Sequence, residues 1–194
     1  ERVKRLQMSY SDLYNLIVAE LTQAIVNKIV ALALVEGDGT NGFKSIEKEA
    51  DAKKIKKITT KAKSAGKTPF AVAVEEAVDF VRPTAGRRYL IVKAEDRKAL
   101  LDELRQATAN ANVRIKNDDT EIASEVGVDE IIVYTGSKAL KPTVLVDQKY
   151  HIDMQDLTKV DAFEWKTNSN MILVETLTSG HVETYNAGAV ITVS

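Results

Sequence analysis

The chain's two histidines, His151 and His181, are its best candidates for metal or acid–base chemistry. In the segment His151-Ile152-Asp153 a histidine and a carboxylate stand two residues apart, so both would lie on one face of a strand and could bind a metal ion. An exposed strand histidine explains this spacing equally well, and we favour that interpretation. His181 follows Gly180 in a predicted turn. A polar imidazole ring is expected at such a position, so it does not indicate a functional role.

The sequence shows no motif of an activated nucleophile. It has no cysteine, which excludes thiol catalysis, cysteine–zinc sites, iron–sulfur clusters and disulfide scaffolds. It has no Gly-x-Ser-x-Gly motif either, so nothing indicates a catalytic serine. We therefore predict that the protein is not an enzyme and has no catalytic, cofactor-binding or metal-binding residues and no cofactor.

A glycine-rich loop at residues 37–42 is the next candidate. A phosphate-binding loop follows a strand and ends in Gly-Lys-Ser/Thr, whereas this loop follows a predicted helix and is followed by Phe43. We expect instead that Gly37 ends the helix in a left-handed cap and that the loop is a junction between two structural units.

The same loop partly matches a helix–loop–helix calcium site. Positions 1, 3, 5 and 12 of such a site would be occupied by Glu36, Asp38, Thr40 and Glu47. Position 6 would be Asn41, although the sharp turn of the site requires glycine there. The match is incomplete, so the structural interpretation of the loop is preferred.

Two segments carry opposite charge. Residues 44–67 contain nine lysines and three carboxylates, and residues 118–130 contain six carboxylates. The lysines could neutralise nucleic-acid phosphates, but few aromatic residues accompany them for base stacking. A solvated face, or a partner for the acidic segment of another copy, is the preferred interpretation, and we predict one or two exposed helices here.

The composition indicates one large domain or two small ones. The chain has 194 residues, 44% of them hydrophobic, and a net charge of −1. This is enough apolar surface for a core without disulfides.

The segment from Leu16 to Val35 is interrupted at helical spacing by polar residues such as Glu20 and Lys28, which predicts an amphipathic helix and no membrane partner. The first residue is Glu1 instead of Met, which suggests a trimmed product. The charged start Glu1-Arg2-Val3-Lys4-Arg5 predicts no signal peptide.

Hydrophobic periodicity predicts an α+β fold dominated by one long helix. That helix should run unbroken over residues 10–35 and be covered on two sides, with Leu21 and Ile25 buried. Further helices are predicted from Pro69 and at 94–109, and strands at 88–92, 113–116, 130–135, 143–147, 171–177 and 189–193, with breaks at Ser179-Gly180 and 186–188.

Several of these segments resemble the major capsid proteins of tailed bacteriophages with the Hong Kong 97 fold. The resemblance rests on the helix end Ala33-Leu34-Val35-Glu36-Gly37-Asp38-Gly39-Thr40, on the helix–strand–helix order of Ala73–Val81, Arg88–Lys93 and Asp96–Leu104, and on the final segments Asn170–Glu175 and Tyr185–Thr192. It covers about residues 10–194. The N-terminal arm and extended loop of that family have no counterpart in the chain, and neither does segment 44–67.

The resemblance implies a division into a peripheral and an axial domain. The peripheral domain would comprise residues 1–36, with the spine helix packed across strands from 150–186. The axial domain would comprise residues 37–149 and the return strand 187–194. No catalytic or cross-linking residue is implied for this chain.

The resemblance also implies a function. The protein would be made in the bacterial host cytoplasm and reside in the virion, where copies associate into pentamers and hexamers of an icosahedral shell around phage DNA, which it contacts non-specifically. It would have no small-molecule substrate. An encapsulin-like compartment shell and a small calcium- or nucleic-acid-binding module remain as alternatives.

Overall fold

The computed structural model describes residues 10–40, 42–60, 69–108, 115–164 and 169–193. Within these residues the chain forms four α-helices and nine strands. The helices are α1 (Tyr10–Ala31), α2 (Pro69–Val81), α3 (Ala94–Thr108) and α4 (Asp119–Val126). The strands are β1 (Ile55–Thr59), β2 (Arg88–Val92), β3 (Glu130–Val133), β4 (Thr143–Val146), β5 (Tyr150–Met154), β6 (Thr158–Glu164), β7 (Ser169–Glu175), β8 (Thr178–Val182) and β9 (Gly188–Thr192).

A mixed five-stranded sheet in the order β1-β9-β4-β2-β3 forms the centre of the molecule. Strand β2 pairs with β3 in parallel and with β4 in antiparallel orientation, and β1 pairs with β9 in parallel. The continuous apolar run of β2 suits this interior position, because both faces of an interior strand can be covered. Leu90 and Val92 are fully buried and Ile91 is 8% exposed.

Both faces of this sheet are buried in hydrophobic clusters. Leu90 and Ile191 pack in a large cluster with residues of α2, α3 and α4. Ile91 and Val190, the alternating neighbours, pack in a second cluster with residues such as Leu34 of the helix end. Period-two alternation along β2 and β9 thus places apolar side chains on both faces of the sheet, in one cluster on each face.

Two antiparallel ribbons complete the described structure. Strand β5 pairs with β8, and β6 pairs with β7. Helix α1 contacts β7. The predicted packing of the long helix against strands of residues 150–186 is therefore observed at β7.

The long helix is unbroken at Glu20 and Asn27, but its last turn changes geometry. The α-helix ends at Ala31, and Leu32–Glu36 forms a π-helical turn. The left-handed cap predicted at Gly37 is wrong, since its φ is −57° and its ψ is 123°. The N–H of Gly37 donates to the Leu32 carbonyl at 2.9 Å, the i to i−5 pattern of a π-helix.

Coverage of the helix on two sides is also wrong. Val18 and Ile29 are buried, whereas Leu21 and Ile25 are only half-buried. Most of the remaining helix surface is exposed.

Three further sequence predictions are corrected by the structure. Segment 44–60 forms turns and β1, not a helix, because Ile55 and Ile58 are carried by a strand onto buried positions. Ser179-Gly180 lies inside β8 and not in a break. The strand predicted at 113–116 is absent at Ile115 and Lys116, and its first two residues lie outside the described residues.

The acidic segment contains a helix that periodicity did not predict. Asp118 accepts a hydrogen bond from the Thr120 N–H at the start of α4, and Gly127 ends it in the left-handed conformation with φ 77°. Strands β3 and β4 lie where the sequence predicts them, but they flank β2 on opposite sides and do not form a hairpin.

Candidate assembly surfaces

The first candidate surface is the exposed apolar face of α1. Leu16, Val26 and Val30 are 48%, 45% and 39% exposed. By length and composition the segment Ser11–Glu36 is apolar enough to cross a membrane. An apolar helix face that is left open within one subunit also suits contact with another protein surface.

The second candidate surface is the ribbon of β6 and β7. Val160 lies opposite Leu173, and Ala162 opposite Met171, so these four side chains share one face. Val160, Leu173 and Met171 are 41%, 46% and 52% exposed. An isolated ribbon would normally direct its polar residues to solvent. The sequence predictions did not include this apolar face, although Val160 and Ala162 alternate with Lys159 and Asp161, which is a period-two signal.

An ion-pair cluster joins the end of the long helix to the loop that follows β3. Oε2 of Glu36 lies 2.5 Å from Nζ of Lys28, and Oε1 lies 2.7 Å from Nζ of Lys138. Hydrogen bonds from Lys138 and then Lys28 lower the pKa of Glu36 from 4.5 to about 2. Lys48 donates to the backbone carbonyl of Glu36 at 2.8 Å. Lys28, Glu36 and Lys138 line a cleft of about 570 Å³ between α1 and residues 132–138.

We predict that Glu36→Gln lowers stability in a pH-dependent way. The unfolded chain protonates Glu36 near its ordinary pKa of 4.5, whereas the folded chain keeps the carboxylate until about 2. The ion pairs therefore stabilise the fold fully above pH 4.5, and this contribution declines as the pH falls through about 2. Thermal unfolding at neutral pH should show a lower Tm for the variant, and the difference should vanish near pH 2. Glu20→Gln, at an exposed position of the same helix, is the matched control, and an equal loss there would contradict the prediction.

Most lysines of segment 44–60 have partners within the subunit. Lys44 pairs with Glu49 and Lys56 with Glu76, both at 2.8 Å. Nζ of Lys57 donates to the backbone carbonyls of Ile46 and Glu47, and burial lowers the pKa of Lys57. These lysines stabilise the loop, so few are presented as a phosphate-binding surface. Residues 61–68 lie outside the described residues.

Carboxylates of the acidic segment, residues 118–130, also have partners within the subunit. Asp119 pairs with Arg97 at 2.5 Å and Glu130 with Arg87 at 3.2 Å. Asp129 accepts from the backbone N–H of Arg88 at 2.7 Å. Much of the charge in both segments is therefore already paired within the subunit. The attraction between this segment and segment 44–67 of another copy stays a prediction.

The candidate calcium ligands do not converge. Glu36 faces lysines, Glu47 pairs with Lys141 at 3.2 Å, and Asp38 accepts hydrogen bonds from the N–H and hydroxyl of Thr40 at 2.9 and 2.6 Å. Asn41 lies outside the described residues. No group of three or more histidine, aspartate or glutamate side chains suited to a metal occurs in the part of the chain that the structure describes.

The two histidines are brought together. His181 lies in β8, contrary to the predicted turn, and is directly opposite His151 of β5. Their ring centroids are 6.1 Å apart at an interplanar angle of 69°. His151 pairs with Asp153 as its spacing suggested, at 3.0 Å, and His181 pairs with Glu183 at 3.3 Å.

Comparison with known proteins identifies what the chain is similar to. No protein-family model matches it. It is 96% identical over all 194 residues to the capsid proteins of Lactococcus phage p2 and Lactococcus phage SK1, and it spans 49% of the length of each. The chain therefore covers about half of the curated relatives that it matches. The resemblance to a phage capsid protein is confirmed by these relatives.

Solved structures show the same type of fold. The capsid of an empty GTA particle matches with a TM-score of 0.58 at 14% identity, over 98% of this chain and 69% of that chain. The satellite phage P4 procapsid, which includes the size determination protein, matches with a TM-score of 0.53 at 15% identity, over 95% of this chain and 65% of that chain. The mixed helix and sheet fold is thus similar to phage capsid folds.

Proposed function

We propose that this chain is part of a phage major capsid protein, and that the whole protein assembles into the pentamers and hexamers of an icosahedral shell. The observation that carries the proposal is 96% identity over the whole chain to two phage capsid proteins. Their name describes a structural protein of the virion, and a non-catalytic role follows for this chain. Non-specific contact between the inner surface and phage DNA belongs to the same proposal.

We further propose that the architecture is the Hong Kong 97 fold. The long helix with the β5–β8 and β6–β7 ribbons would form the peripheral domain, and the five-stranded sheet with α2, α3 and α4 would form the axial domain. Strand β9 lies in the sheet with β1 and β4, while β5 and β8 pair apart from it, which supports a return of residues 187–194 to the axial domain.

The alternatives receive less support. The lysines of segment 44–60 are held by carboxylates and carbonyls, which disfavours a nucleic-acid-binding module. The carboxylates at the calcium-loop positions face lysines or threonine instead of one another. The relatives carry the name of phage capsid proteins, which favours a DNA-enclosing shell over a compartment that encloses cargo protein.

The exposed apolar face of the β6–β7 ribbon supplies the test. Met171→Ser combined with Leu173→Ser, introduced into a full-length relative, should abolish shells in electron micrographs because two large apolar contacts are lost at each copy. The side chains of Met171 and Leu173 are 52% and 46% exposed, so the subunit should still fold.

The matched control changes the other face of the same ribbon. Lys159 and Asp161 are exposed and alternate with Val160, so Lys159→Ser combined with Asp161→Ser should leave shells intact. Normal shells formed by the variant with Met171→Ser and Leu173→Ser would contradict a role of this apolar face in shell assembly. A full-length protein that forms no shells under any condition would overturn the proposed function itself.

A further inference from the structure

The chain's two histidines, which are 30 positions apart in the sequence, lie on one exposed face of the β5–β8 ribbon. Antiparallel pairing sets His151 directly against His181. Each ring nitrogen Nε2 approaches the carboxylate two residues further along the chain, Asp153 or Glu183. Since residues two apart on a strand share a face, Asp153 lies on the same side of the ribbon as the two paired histidines.

The register of this face is fixed by burial on the opposite side. Val182, the cross-strand partner of Tyr150, is 1% exposed. The Tyr150 hydroxyl donates to the Lys44 carbonyl at 3.1 Å, and burial raises the pKa of Tyr150 to about 12. A shift by one residue would turn these side chains to solvent. The histidine pairing is therefore set by the fold.

One of the two histidines, His151, has the hydrogen-bonding arrangement of a metal ligand. A neutral imidazole that donates from Nε2 to a carboxylate carries its free lone pair on Nδ1. Metal-bound histidines almost always donate their other ring N–H in this way, which fixes the tautomer and strengthens the ligand. Asp153 occupies this supporting position for His151, with its Oδ1 3.0 Å from Nε2, and a carboxylate oxygen of Glu183 lies 3.3 Å from Nε2 of His181.

The spacing of the rings also suits one shared ion. A zinc–nitrogen bond of about 2.0–2.1 Å places each ring centroid about 3.2 Å from the metal, so two rings on one ion have centroids about 5–6 Å apart. The observed separation is 6.1 Å. The side chains of His151 and His181 are 52% and 45% exposed, which leaves the rings free to adjust and leaves room for water ligands.

We propose that His151 and His181 form a surface binding site for a divalent transition-metal ion, with Zn²⁺ as the reference ion. One nitrogen of each imidazole binds the ion directly, waters complete its coordination, and the Asp153 carboxylate orients the His151 ring. Imidazole ligands suit zinc, copper and nickel, whereas Mg²⁺ and Ca²⁺ prefer oxygen ligands. This site goes beyond the proposed shell function and does not depend on it.

The test is calorimetric titration of the 194-residue chain with zinc chloride at neutral pH in a buffer without chelating components. We expect one zinc per chain, no comparable binding of Mg²⁺, and loss of at least about tenfold in affinity for both His151→Ala and His181→Ala. Asp153→Asn should weaken binding by about tenfold, as expected for a carboxylate that orients a ligand. Asp161→Asn, an exposed carboxylate of the neighbouring ribbon, is the matched control and should bind as the unchanged chain does.

A second readout identifies the ligand atoms. Paramagnetic resonance of bound Cu²⁺ should report two nitrogen ligands in the unchanged chain and fewer in either histidine variant. The proposal is overturned if zinc does not bind, if either histidine variant binds zinc as tightly as the unchanged chain, or if Cu²⁺ has no nitrogen ligand.

Discussion

Phe43→Ala should lower the free energy of unfolding by about 3–5 kcal/mol, the range for removing a buried aromatic ring. Phe43 is 2% exposed, and its ring lies so close to Gly180 that a Cβ there would be 2.7 Å from Cε1 of Phe43. The backbone is tied at the same point, since Lys44 N–H donates to the Gly180 carbonyl at 2.8 Å and Gly180 N–H donates to the Gly42 carbonyl at 3.0 Å. Removing the ring leaves a cavity between this loop and β8.

Urea denaturation followed by circular dichroism measures this loss. Tyr185→Ala is the control because Tyr185 is a 59% exposed aromatic residue, and it should change stability by about 0.5 kcal/mol or less. Phe43→Leu should cost less than Phe43→Ala because it keeps most of the apolar volume. A loss below about 1 kcal/mol for Phe43→Ala would contradict the prediction and show that the surrounding side chains close the cavity.

The elements with a strong local pattern are predictable from the sequence. Helix α2 begins at Pro69, a favoured first helical position, and its apolar stripe repeats at helical spacing. Strand β2 is a continuous apolar run bounded by charged residues. In such segments local propensity and tertiary burial favour the same structure, so single-sequence reasoning succeeds.

The elements that sequence reasoning does not find depend on distant partners. Strand β1 lies in a lysine-rich segment, and only its parallel pairing with β9 makes it a strand. Gly180 suggests a turn by composition, yet in β8 it allows Phe43 and Tyr150 to approach closely. The histidine pair depends on the register of β5 and β8. This register cannot be deduced from the residues around His151 and His181 taken separately. The candidate assembly surfaces are not predicted for a different reason. An exposed apolar strand face is interpreted as part of the core when only one subunit is considered.

Gly37 illustrates how the right residue can be predicted for the wrong reason. Glycine after a helix suggests a left-handed cap, but a φ of −57° and ψ of 123° are open to any residue. What glycine supplies here is space. A Cβ at position 37 would lie 2.7 Å from the carbonyl oxygens of both Leu32 and Phe43, and these backbone atoms cannot rotate away.

We predict that Gly37→Ala lowers the free energy of unfolding by about 1–3 kcal/mol or more, the range for overpacking. Gly37→Asn should be at least as destabilising, because its side chain begins with the same Cβ. A left-handed cap predicts the reverse order, since asparagine adopts that conformation more readily than alanine. Gly39 provides the matched control in the same loop: its φ is 93° and a Cβ added there would meet no atom within 4 Å, so Asn should be tolerated better than Ala. Urea denaturation of the four variants tests the prediction, and a Gly37→Asn variant more stable than Gly37→Ala would restore the cap and refute the steric explanation.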